Sequence, residues 1–198
     1  MAVSQYHRAR HDTLIGRVTL CKMTFEGNIR RDASGDLQDV RDILEGDPQI
    51  NINQVGVLRQ SAVNIQNIIT ANNLTANGTF AVVNNDNTTQ TTELTIRANS
   101  FRNYGWGWKF IALFSTMESR WKTRGCEVDT FIINKNKQLE IDIQNFQTNV
   151  TSAQSYLTKT IALLDQVIQS GNITPQNIER LNDYMLQFNS ILALQNVF

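Results

Sequence analysis

Few residues in this chain of 198 are of the types that carry out chemistry, and their spacing limits what they can do. The only two histidines, His7 and His11, stand four apart with Asp12 beside them. On a helix that spacing puts both imidazoles on one face, where with the carboxylate they would make three of the ligands zinc or copper needs. Nothing downstream supplies a matching fourth ligand, so Met1 to His11 reads as a solvated basic terminus, with no metal and no cofactor expected. A histidine-dependent nucleophile would need one of these two carried into a formed pocket. Cys21 and Cys126 lie far apart and outside any Cys-x-x-Cys pair, and read as reduced, mostly buried thiols. The chain has no GxxxxGK(S/T) phosphate loop, no GxSxG elbow, no HExxH and no EF-hand loop. An enzyme is not expected.

A second constellation runs from Arg97 to Arg124. Arg97, Arg102, Lys109, Arg120, Lys122 and Arg124 stand there against Glu118 alone, and Trp106, Trp108 and Trp121, all three tryptophans, join them beside Tyr104. Aromatics interleaved with cations can stack on single-stranded bases or settle at a membrane interface. The favoured reading is a core of aromatics with a charged rim, and a subunit interface comes next. Phe110 to Phe114 is too short an apolar run to span a bilayer. Glu26 to Asp47 holds seven acids against three arginines and could pair with the basic segment, within the molecule or between subunits. Over the whole chain 18 basic residues balance 18 acidic ones, so no net field draws nucleic acid or anionic membrane. Five Asn-x-Thr triplets occur, at Asn73, Asn77, Asn87, Asn149 and Asn172. Met1 to His11 has no apolar h-region, so no classical secretory signal is read. Glycosylation is not expected, and the compartment is cytoplasmic or reached by a signal-less route.

The elements that must position these residues read as an α+β fold. A small mixed part covers residues 1–98 and a helical part covers 99–198. Leu14 to Phe25 is rich in Val, Ile, Thr and Leu and predicts a strand buried on both faces, with a bulge between Leu20 and Cys21. Leu37, Val40, Ile43 and Leu44 form one helical face that Gly46 and Asp47-Pro48 end. Val55, Leu58, Ala62, Ile65 and Ile69 repeat at 3,4 spacing and predict a second helix, dissolving at Ala71-Asn72-Asn73. Thr79 to Val83 and Thr91 to Arg97 then read as a β-hairpin across the polar run Asn84 to Thr89. Charged residues are only 18% of the chain, and Asn and Gln, 38 together, supply the missing polarity.

The second half carries the strongest periodicity. Phe110, Phe114, Met117 and Trp121 share a face that Gly125 interrupts, predicting a break before Phe131. Ile132, Asn136, Leu139, Ile143, Phe146, Val150, Ala153, Leu157, Thr160, Leu164 and Val167 then alternate 4 and 3 over a helix of about 132–169. Gly171 ends it, and Thr174-Pro175 starts a helix of about 175–195, antiparallel to the first in an αα-hairpin. The long helix would span roughly 57 Å, and its hairpin partner covers about half. Something else must cover the rest, so Ile132, Asn136, Leu139, Ile143, Phe146 and Val150 are expected at a protein interface. Asn136 would fix its register. A possible basic-aromatic contact comprises Arg102, Tyr104, Trp106, Trp108, Lys109, Arg120, Trp121, Lys122 and Arg124.

An apolar helix, a polar stretch and a long amide-rich heptad helix over residues 110–170 resemble the hydrophilic filament and needle-tip proteins of type III secretion systems. Asn136-Lys137-Gln138-Leu139-Glu140-Ile141 is similar to the start of their C-terminal coiled-coil helix. The resemblance covers about a third of the chain. The helix after Gly171 and the tryptophan cluster depart from it. It implies an exported subunit that polymerises through paired long helices. The expected function is therefore a non-enzymatic structural protein, a subunit of a filament, shell or secretion-type machine. Its partners would be itself or other protein subunits, with no small-molecule substrate. The alternative is an adaptor using the Trp-rich basic segment on nucleic acid or a membrane surface.

Overall fold

A computed structural model describes residues 2–46, 50–107 and 116–192, and side chains over 5–46, 50–99 and 129–192. Among these residues five helices follow in order: α1 (Ala2–Asp32), α2 (Ser34–Glu45), α3 (Ile52–Gly107), α4 (Thr116–Ser170) and α5 (Pro175–Leu192). Every regular element among the described residues is helical, which overturns the α+β expectation. The strand expected over Leu14 to Phe25 lies inside α1, and both arms of the expected hairpin lie inside α3.

The physical reason is that a 3,4 stripe outweighs local β propensity. In α1 the buried residues are His7, His11, Leu14, Val18, Phe25 and Ile29, while Leu20 and Met23 are 66% and 64% exposed. The change of parity between Leu20 and Cys21 is thus a helical face turning outward, not a bulge. In α3 the stripe runs on from Ile69 through Ala76, Phe80, Val83, Asn87, Gln90 and Leu94. Threonines of the expected hairpin fit this helix because their hydroxyls reach a carbonyl one turn back. Thr89, Thr92 and Thr95 donate to the carbonyls of Asn85, Thr88 and Thr91 at 2.9, 2.9 and 2.7 Å. The break expected between Gly125 and Phe131 is absent, since α4 runs through it; one interior glycine costs a helix only about 1 kcal/mol.

Caps fix the helix ends. Asn51 and Gln54 form a reciprocal capping box before α3, each side chain accepting the other's backbone N–H at 2.9 Å. Gly171 closes α4 with φ of 68°, its N–H bonded to the Val167 carbonyl at 2.9 Å. Thr174 then accepts the Asn177 N–H at 3.2 Å, with Pro175 as the first residue of α5.

The chain forms two compact units. Unit 1 comprises Met1–Leu20 and Gly78–Gln144, and unit 2 comprises Cys21–Asn77 and Asn145–Phe198. Each is built from stretches far apart in sequence, because α1, α3 and α4 all contribute to both. In unit 1, α1 and α3 are antiparallel, with Arg10 paired to Glu93 at 2.9 Å and Arg17 to Asp86 at 3.2 Å. Leu14, Val18, Phe80, Val83, Leu94, Ile132, Leu139 and Ile143 form its apolar core.

In unit 2, α3 and α4 are antiparallel along a polar ladder. Arg59 meets Asp165, Gln66 meets Thr158 at 2.9 Å, Thr70 meets Gln154 at 3.0 Å and Asn77 meets Gln147 at 3.0 Å. Beneath that ladder Val40, Leu58, Ala62, Leu164, Leu181 and Met185 converge from α2, α3, α4 and α5. They leave a void of only about 10 Å³. Both units are helical bundles.

Candidate functional site: a buried polar layer

The chemistry-bearing side chains of unit 1 lie inside its bundle. His7 and His11 are 8% and 6% exposed, which corrects the reading of a solvated terminus. The reason is that α1 extends to Ala2, so positions 7 and 11 continue the stripe of Leu14 and Val18 into the core. Against them stand Asn87 and Gln90 of α3 and Asn136 of α4, all buried. His11 Nδ1 lies 2.6 Å from Asn136 Oδ1. Asn136 Nδ2 donates to Gln90 Oε1 at 3.1 Å and to Thr91 Oγ1 at 3.2 Å. Gln90 Nε2 donates to the His7 carbonyl at 2.9 Å and lies 3.5 Å from His7 Nδ1. Asn87 Nδ2 donates to the Asn136 carbonyl at 2.8 Å. One continuous hydrogen-bonded layer therefore joins α1, α3 and α4.

An ion pair stands beside this layer. Arg97 Nε is 3.0 Å from Asp129 Oδ2, and Asp129 is 1% exposed. Burial holds the Asp129 carboxyl above its ordinary value of 3.8, against the opposing pull of Arg97 and His7. Burial likewise holds His7 below 6.5. Arg97 and, less strongly, Arg10 act in the same direction, while Asp129 and Glu93 oppose them. Tyr6 sets its ring edge-on against His7 at 5.3 Å. No group of three His, Cys, Asp or Glu side chains among the described residues is arranged to hold a metal ion.

The expected interface residues divide between the units. Ile132, Asn136, Leu139 and Ile143 are buried in unit 1, and Val150 is buried in unit 2. Phe146, half-buried in unit 2, stacks edge-on against Phe25 of α1 with ring centres 5.2 Å apart. In unit 1 the chain's own α1 and α3 face the seam, and in unit 2 Ile191 and Leu192 of α5 line one cavity with Phe146, Val150 and Phe25 of α1.

Arg102, Tyr104 and Trp106 belong to the last residues of α3, and Arg120, Trp121, Lys122 and Arg124 to the start of α4. Their side chains, with Trp108 and Lys109, lie outside the described residues. Among the cations of that segment only the Arg97 side chain is described, and it meets Asp129. In that stretch Asp32 pairs with Arg31 and Glu45 with Arg41, while Asp36 accepts a hydrogen bond from Asn64. Cys21 is a half-buried thiol, in no disulfide, whose Sγ lies 3.9 Å from the Ala76 carbonyl oxygen. Cys126 lies outside the described side chains.

Sequence reasoning missed His7, His11, Asn87 and Gln90 as members of one layer, and Asp129 as the buried carboxylate beside it. A signal existed. Asn87 falls 4 residues after Val83, Gln90 falls 3 after Asn87, and Asp129 falls 3 before Ile132, so each prolongs an apolar seam in phase. Compared with protein-family models, with curated proteins and with solved structures, the chain matches none of them.

Proposed function

We propose that this chain is a non-enzymatic structural protein that works by packing long helices, as a subunit of a filament, shell or secretion-type assembly. The observation that carries this reading is helix length. α3 and α4 run for 56 and 55 residues, several times the mean of about 11–12 in globular domains. Such helices suit a part that spans and stiffens. Both imidazoles and the buried Asp129 carboxylate are taken up in the helix contacts of unit 1.

Outward apolar side chains supply contact points for other subunits: Met23 and Leu74 in unit 2, Ile96 and Phe131 in unit 1. No helix among the described residues is long and apolar enough to cross a membrane. Light scattering over a wide range of protein concentration tests the proposal. A mass that rises in multiples of the single chain is expected, and a strict monomer at every concentration overturns self-assembly.

A further inference from the structure

We propose that unit 1 is an acid-loosened switch whose latch is the directed chain His11–Asn136–Gln90–His7. The direction follows from one atom that has a single role. The His7 carbonyl oxygen can only accept, so the end of Gln90 facing it at 2.9 Å is Nε2. Gln90 Oε1 then faces α4 and accepts from Asn136 Nδ2 at 3.1 Å. That leaves Asn136 Oδ1 for His11, 2.6 Å away, so the His11 proton sits on Nδ1. At the other end Gln90 Nε2 also points at His7 Nδ1, 3.5 Å away, which can therefore only accept. The His7 proton is on Nε2. The two histidines hold opposite tautomers, set by the two amides between them.

A proton arriving on His7 Nδ1 meets an N–H of Gln90. Turning the Gln90 amide to accept it gives up the bond to the His7 carbonyl and points an N–H at the Asn136 amide. Turning Asn136 in its place removes the acceptor that His11 uses. Proton uptake at one histidine therefore breaks contacts on all three helices. The charged groups facing His7 are Arg10 on its own helix, Glu93 and Arg97 on α3, and Asp129 on α4. These balance in sign and leave no spare anion for an imidazolium. The second ring nitrogen of His11, Nε2, is buried with no hydrogen-bond partner among the described residues. Unit 2 buries no ionisable side chain among its described residues.

The sign follows from His7 sitting below its ordinary value. The opened state takes up a proton as pH falls through 6.5 while the closed state does not, so closed unit 1 loses stability there. The loss ends once pH passes the lowered value in the closed state. Asp129 acts with opposite sign, because its protonation above 3.8 removes a buried charge and favours the closed state.

Hydrogen exchange of the full chain between about pH 7.5 and about pH 5.5, corrected for intrinsic rates, tests the switch. Protection of amides in 80–94 and 132–143 should fall by up to about tenfold per pH unit below 6.5, the limit for one proton. Amides in 55–69 and 153–167 should not follow. Equal change in both units, or no change in unit 1, overturns the proposal. Nitrogen chemical shifts of the imidazoles give a readout that needs no variant. Opposite tautomers with His7 titrating below 6.5 are expected, and like tautomers or a midpoint at or above 6.5 overturn it. A folded His7→Gln variant should lose the pH dependence of unit 1, and its persistence would also overturn the latch.

Discussion

The two units solve one packing problem with different chemistry. Both stack antiparallel α3 and α4 on 3,4 seams. Unit 2 fills its seams with Val55, Leu58, Ile65, Ile69, Val150, Leu157, Leu164 and Val167, and among its described residues buries only the hydroxyls of Ser61 and Thr160 beside them. Unit 1 places His7, His11, Asn87, Gln90, Asp129 and Asn136 at equivalent positions. An apolar seam tolerates many registers, because one aliphatic contact resembles the next. A polar layer tolerates few, because every slipped register strands a buried donor or acceptor at about 1–3 kcal/mol. Unit 2 therefore draws stability from its seams, and unit 1 draws alignment.

The largest effect should come from emptying the apolar seam. Phe188 is fully buried on α5, and Phe188→Ala should destabilise unit 2 by about 3–5 kcal/mol in chemical denaturation. A loss below about 1 kcal/mol would mean that unit 2 does not depend on its apolar packing. In unit 1 the matching test removes a charge. Arg97→Met leaves the Asp129 carboxylate buried without its ion-pair partner and should cost about 3 kcal/mol at neutral pH. Burial already holds that carboxyl above 3.8, so the cost should shrink as the solution is acidified and Asp129 takes up its proton. A cost independent of pH would show that Asp129 is not its source.

A smaller effect sharpens the contrast between the seams. Asn136→Leu should destabilise unit 1 by about 1–3 kcal/mol, because His11 Nδ1 and Gln90 Oε1 lose their partner. Adding Gln90→Leu and His11→Leu should reverse the sign and raise the melting temperature above that of the parent, as when a buried polar network becomes apolar. If the triple variant melts lower than Asn136→Leu alone, the layer contributes net stability and the comparison fails. The smallest effect belongs to the rim of unit 2. Arg59 and Asp165 pair while 39% and 44% exposed, so Arg59→Ala should cost less than about 1 kcal/mol. A larger loss would show the polar ladder of unit 2 holding α3 to α4 as firmly as the seam beneath it.

How much of this was legible depended on which residues occupied the seams. Residues 132–167 were readable because nine of eleven seam positions are apolar, and one period dominates whatever lies between. The second half of α3 was not. Asn84-Asn85-Asp86-Asn87 has turn composition, Thr79 to Val83 and Thr91 to Arg97 have strand composition, and the seam there passes through Asn87 and Gln90. Propensity and pattern disagreed, and the pattern carried polar residues that a hydrophobicity reading discards. The N-terminus failed similarly. His7 and His11 look like solvent-facing residues until the stripe of α1 is followed back through Leu14 and Val18.

The sequence by itself determined the helical period of α4, the glycine stop at Gly171, the Thr174-Pro175 start of α5 and the residues facing inward from 132 onward. Each depends on neighbours within a turn or two along the chain, where backbone sterics and hydrogen bonding act locally. Tertiary structure alone decided what α1 and the second half of α3 would be, and whether Asn136 would meet another molecule or the chain's own His11 and Gln90. Those outcomes turn on contacts across 125 and 46 residues of sequence. A buried amide or imidazole is stable only if a complementary group arrives from such a distance, and local composition carries no information about that arrival.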